Sequence, residues 1–223
     1  MDQTKTEPEM PESRPLFDYI RDPDEIYRRS FATVRAEAKL DGFSDQETKV
    51  VVRLIHACGM TDIATDVRVS AGAVGAGVKA LAAGRPILVD AEMVGAGIIR
   101  KRLSRNNDVI CTLNDPAVPS MAKEMTTTRS AAAVDLWRED VKGAIVVIGN
   151  APTALFRLLE IITDGGPKPA LILGFPVGFI GAAEAKQALV DHAGDVPYMT
   201  LLGRRGGSAI AAAAINAIAG DLA

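Results

Sequence analysis

The sequence predicts an α/β fold: a single domain with a mainly parallel β-sheet flanked by helices on both faces, in a Rossmann-like, three-layer arrangement. Short apolar runs at residues 86–89, 109–113, 144–148, 170–173 and 198–202 lack polar alternation, as strands buried on both faces do. Helical patterns at 131–139, 152–163, 182–192 and 208–219 lie between them, and strand alternating with helix builds a parallel sheet. The 20 glycines agree, since many fall directly after an apolar run.

Taken in order, residues 1–15 carry prolines and no periodicity, which predicts a disordered lead-in to a domain spanning 16–223. Residues 22–38 predict a helix. Asp22 can cap it, Pro23 suits its first turn, and Ile26, Phe31, Val34 and Ala38 recur at helical spacing. Ser44-Asp-Gln-Glu47 has the form of a capping box and opens a second helix that Gly59 closes. The strand and helix patterns above follow, with no repeat and no interdomain linker.

Composition narrows the function. Among 223 residues, 25 Lys+Arg face 28 Asp+Glu, a net charge of −3 that argues against a general nucleic-acid binder. The 2 cysteines are too few for a disulfide framework or a structural zinc site. No run approaches the roughly 20 apolar residues of a membrane span. The acidic N-terminus has no apolar core of a signal peptide, so a soluble cytoplasmic protein is expected.

In open α/β sheets ligands bind beyond the carboxyl ends of the strands. Those positions hold Asp90 and Glu92, Asn114, Asn150 with Thr153, Gly174 to Gly181, and Gly203 to Ser208. Turns of this kind aim backbone N–H groups at one rim and suit oxyanions, which makes Asn150 and Thr153 candidate binding residues. A dinucleotide site fails: Gly72-Ala-Val-Gly75-Ala-Gly77 follows no strand, and Gly95-Ala-Gly97 lacks its third glycine. Packing of helix on sheet explains these glycines better. No cofactor or metal is therefore expected. Asp90 and Glu92 could hold magnesium, but capping of the next helix is the simpler account.

Cys58 and His56 lie about 200° apart around one helix, so they make no nucleophile–base pair. Both cysteines read as core thiols. Arg53 and His56 stand at i and i+3 on one helix face. From spacing alone His56 is open between a structural and a catalytic histidine, and the residues by themselves support a protein that binds a polyanionic small molecule.

Several segments then resemble a known family. Arg53-Leu-Ile-His56-Ala-Cys-Gly59, Asp90-Ala-Glu-Met93, Thr128-Arg-Ser-Ala-Ala-Ala133, Ile148-Gly-Asn-Ala-Pro-Thr-Ala-Leu155, Gly174-Phe-Pro-Val-Gly-Phe-Ile-Gly-Ala-Ala183 and Gly203-Arg-Arg-Gly-Gly-Ser208 are similar to the precorrin-8X methylmutases of cobalamin biosynthesis. The resemblance covers about residues 17–219. It implies an isomerase that moves a methyl group from C11 to C12 of precorrin-8X, giving hydrogenobyrinate by an intramolecular shift that needs no cofactor. It implies that His56 is the proton donor and acceptor, that Ser30 and Arg53 contact substrate, and that Arg129 binds a substrate carboxylate. It also implies a homodimer. His56-Ala-Cys-Gly59 is similar to the aerobic, cobalt-free branch. The alternatives are a cobalt-precorrin-8 methylmutase of the anaerobic branch and a corrinoid carrier without catalysis.

Overall fold

The computed structural model describes residues 16–220; the predicted lead-in, 1–15, lies outside the described residues. The chain begins with α1 (Pro23–Glu37), whose cap Asp22 accepts a hydrogen bond from the Asp24 N–H at 3.0 Å. Next comes α2 (Asp45–Cys58), opened by the predicted capping box: the Glu47 carboxylate accepts from the Ser44 N–H at 2.8 Å. Gly59 ends it at φ 69°, a left-handed position that glycine adopts without Cβ strain.

The sheet is built from β1 (Val67–Val69), β2 (Ile87–Val89), β3 (Val109–Cys111), β4 (Ile145–Ile148), β5 (Leu171–Gly174) and β6 (Tyr198–Leu201), in the order β1-β6-β5-β4-β2-β3. All pairs are parallel except β1 with β6, where Val67 faces Leu201. Helices α3 (Ala73–Ala82), α4 (Glu92–Gly97), α5 (Val118–Glu124), α6 (Arg129–Asp135), α7 (Pro152–Thr163), α8 (Ala182–His192) and α9 (Ser208–Ala219) complete the chain. One face of the sheet carries α2, α3, α4 and α9 over a core that includes Val51, Leu54, Ile55 and Ile215. The other carries α6, α7 and α8 around Trp137, Leu155, Leu158 and Leu189. This is the expected three-layer α/β arrangement.

Some elements differ from the sequence reading. The edge strand β1 went unpredicted because it is short and interrupted by exposed Arg68, so it lacks the continuous apolar run of a buried strand. Two glycines weaken the helical signal of α3. Gly77 is nonetheless required, since a Cβ there would lie 2.8 Å from Leu171 Cδ2 and 2.9 Å from Ile218 Cγ2. That close contact with β5 and α9 is the packing role expected of this glycine run, and Gly77 alone in the run fills it; a Cβ at Gly72 or Gly75 would meet nothing within 4 Å. The predicted helix at 131–139 begins earlier, capped by Thr128, and ends at Asp135 ahead of a 3-10 turn, Arg138–Val141.

On α8, Lys186 is fully enclosed and its Nζ donates to the Arg205 carbonyl at 2.6 Å, tying the helix to the loop after β6. Burial pushes its ammonium down to about 8, with the nearby Asp66 charge opposing. Between about 8 and the ordinary value near 10.5, the unfolded chain binds the proton and the folded chain does not. Stability from this group therefore rises with pH across that window. The unfolding free energy of wild type minus that of Lys186→Met is expected to grow by up to about 3 kcal/mol from pH 8 to 10.5, measured by urea denaturation. A difference that is flat with pH would show that Lys186 holds its proton in the folded state.

Candidate active site

The sequence-predicted residues fall into two groups. The first is built on α1 and α2. Ser30 Oγ lies 3.0 Å from His56 Nδ1. The imidazole is exposed on the outer side of α2, while Val51, Val52, Leu54 and Ile55 bury the inner side. Phe31 stacks on the imidazole with ring centroids 5.1 Å apart, and Tyr27 meets it edge-on at 6.2 Å. The Arg53 guanidinium sits 5.4 Å from the Phe31 ring and 5.6 Å from the Tyr27 ring. Thus the crossing of α1 and α2 brings His56, Ser30 and Arg53 together.

The arrangement has a definite chemical capacity. Ser30 occupies Nδ1, and Nε2 has no hydrogen-bond partner among the described residues. A hydroxyl both donates and accepts, so Ser30 can donate to Nδ1 of the neutral ring or accept from it when the ring is charged. The imidazole therefore stays anchored in either protonation state with its outer nitrogen open. Tyr27 and Phe31 supply an apolar wall beside it. In the sequence Phe31 lies on the apolar stripe of α1 and Tyr27 carries no separate signal; the spacing of Tyr27, Ser30 and Phe31, at i, i+3 and i+4, is what places them on one helix face.

The second group lies at the carboxyl ends of the strands. Arg129, in the first turn of α6, donates from Nη2 to the Leu113 carbonyl at 3.2 Å and to Asn114 Oδ1 at 3.5 Å. Thr153 Oγ1 lies 2.7 Å from Thr128 Oγ1, linking the start of α7 to the cap of α6. Asn150 is exposed beside them, and its carboxamide makes no hydrogen bond among the described residues. No hydrogen bond or ring contact among the described residues joins this group to His56.

Asp90 changes the reading of that rim. It is 4% exposed, and its carboxylate accepts from the backbone N–H groups of Gly149, Asn150 and Ala151 at 2.8, 2.9 and 2.7 Å. Burial pushes its carboxyl up, against the pull of these N–H groups. The turn after β4, expected to offer its N–H groups to a ligand oxyanion, is filled by the protein's own carboxylate. Asp90 also caps no part of the helix that follows it, contrary to the simpler expectation. What the turn presents outward is the Asn150 side chain.

The loops after β5 and β6 are joined: Gly207 N–H donates to the Phe175 carbonyl at 2.8 Å, and Gly178 N–H to the Arg204 carbonyl at 3.2 Å. Arg205 bridges Asp62 and Asp66, giving a role to a segment in which the sequence showed none. Cys111 is no activated nucleophile, because burial pushes its thiol above the ordinary value.

The family model described as precorrin-8X methylmutase matches residues 25–220. The chain belongs to the precorrin-8X methylmutase family. It is 59% identical over 204 residues to a precorrin-8X methylmutase of Pseudomonas aeruginosa, covering 92% of this chain and 98% of that one. It is 37% identical over 208 residues to a cobalt-precorrin-8 methylmutase of Salmonella typhimurium, covering 90% and 96% of the two chains. The crystal structure of a precorrin-8X methylmutase from Thermus thermophilus superposes with a TM-score of 0.79 at 44% identity, covering 88% of this chain and 94% of that one. The precorrin-8X methylmutase match begins inside α1 and ends just after α9, so it contains both residue groups described above.

Proposed function

We propose that this chain is a cytoplasmic precorrin-8X methylmutase, an isomerase that moves the C11 methyl group of precorrin-8X to C12 and releases hydrogenobyrinate, with His56 as proton donor and acceptor. The observation that carries the role of His56 is its exposed imidazole, anchored at Nδ1 by Ser30 and open at Nε2. Protonation of the macrocycle by Nε2 makes the conjugated system more electrophilic, so the C11–methyl bond breaks as the C12–methyl bond forms. The overall change is an isomerisation, so the proton is taken back and the histidine ends as it began. Arg53 and Arg129 serve the acetate and propionate chains as cations, and Asn150 and Thr153 add polar contacts at the strand ends.

The aerobic branch is favoured because a Sinorhizobium relative named precorrin-8X methylmutase is 54% identical, whereas a Priestia megaterium cobalt-precorrin-8 methylmutase is 34% identical. A homodimer is part of the same reading. Leu16, Phe17 and Tyr19 lead into α1 with their side chains exposed, and α1 itself buries only Val34. Phe179 and Ile180 are 85% and 91% exposed. Apolar surface of this extent is expected to be covered by a second copy.

The test is a visible absorption time course of precorrin-8X with protein far below the substrate concentration. Complete conversion with many turnovers is expected. An immediate spectral change that is proportional to protein and never turns over would instead identify a carrier. Sedimentation velocity at micromolar protein is expected to give a dimer, and a monomer there would remove that part of the reading.

A further inference from the structure

Arg53 belongs to a second feature besides the His56 cluster. It lines a cleft of about 410 Å³ together with Arg102, Ala219 and Gly220, at the C-terminal end of α9. Both arginines are half-buried, and neither has a carboxylate partner among the described residues. The Arg53 guanidinium lies over the Tyr27 and Phe31 rings, and the Arg102 guanidinium makes no hydrogen bond among the described residues; only its backbone N–H is paired, with the Ile99 carbonyl. Several other arginines do have carboxylate partners: Arg28 and Arg29 pair with Glu25, Arg157 with Asp135 and Glu160, and Arg205 with Asp62 and Asp66.

Withdrawing a guanidinium from water without a counter-ion is costly. Bringing a second one to the same cleft adds like-charge repulsion. A carboxylate between them removes both penalties, and forked guanidiniums suit it geometrically. The other two lining residues are small, which leaves room for an anion. We propose that this cleft is a carboxylate subsite of the active site, in which Arg102 and Arg53 together hold one acetate or propionate chain of the tetrapyrrole. This rests on the function proposed above and adds Arg102 to its binding residues. Because Arg53 also lies over the two rings that flank His56, the subsite would fix the macrocycle's edge relative to the imidazole.

The test is a titration of the full-length protein with hydrogenobyrinate, followed by absorbance at low and at high salt. Arg102→Ala is expected to weaken binding about tenfold at low salt. It is also expected to flatten the salt dependence, because one screened charge pair has gone. Arg102→Lys should restore most of the salt dependence and part of the affinity. The rival role for Arg102 is complementing the α9 dipole. That role predicts a lower melting temperature for Arg102→Ala with an unchanged dissociation constant and salt slope, which would overturn the subsite. Wild type failing to bind hydrogenobyrinate would remove the proposed function and the subsite with it. Wild type binding normally while Arg102→Ala binds equally well would remove the subsite alone.

Discussion

His56→Ala is expected to lose turnover of precorrin-8X by about 10²–10⁴-fold, the usual contribution of a positioned general acid or base. Affinity for hydrogenobyrinate should change far less, because Arg53, Tyr27 and Phe31 hold their places on α1 and α2 without the imidazole. The check is a steady-state time course beside an equilibrium titration. Turnover unaffected in His56→Ala would end the proton-transfer role, however well the protein folds. Ser30→Ala should be milder, about tenfold, since it removes the anchor at Nδ1 and leaves Nε2 in place. Because Ser30 acts through the imidazole, its loss should also move the pH dependence of kcat; a drop in rate with an unmoved profile would mark Ser30 as merely structural.

Asp90→Ala is expected to give the largest loss of stability of any substitution named here, about 3 kcal/mol or more. It would strand the N–H groups of Gly149, Asn150 and Ala151 in a site too enclosed for water to replace every bond. In a domain of this size that corresponds to a fall in melting temperature on the order of 10 °C. Asp90→Asn keeps the volume, but its amide group turns donors toward backbone donors, so it should recover only part of the loss. Calorimetry on the three proteins decides the matter. A melting temperature for Asp90→Ala within a degree or two of wild type would mean that the turn after β4 holds itself.

Much of the fold was legible because its signals are local. The Ser44 capping box, Gly59 at the end of α2, and the apolar runs of β2, β4 and β5 each report their own conformation through neighbouring residues. The bounds of α7, α8 and α9 follow from the same kind of signal, with Pro152 opening one and glycines flanking the others. Strand β1 was not legible, since its reason for being a strand is β6, more than a hundred residues away in the chain. The site divides in the same way. His56 and Arg53 share a helix face that sequence spacing reveals, and the family resemblance supplied Ser30. That Phe31 lies under the imidazole is a fact of how α1 crosses α2.

Asp90 makes the distinction sharpest. By itself the sequence determined the layered α/β architecture, the glycines that let helices press on the sheet, and the family to which the His56 motif belongs. Those are properties of short segments, whose periodicity, capping and turn chemistry act over a few residues. Only the tertiary structure decided that Asp90 would fill the turn after β4, that Arg205 would lock onto Asp62 and Asp66, and that Arg53 and Arg102 would face one cleft. Each of those is a charge whose partner, or lack of one, depends on segments brought together from distant parts of the chain. Electrostatic energy depends on distance in space and on exclusion of water, and neither is written in the local order of residues.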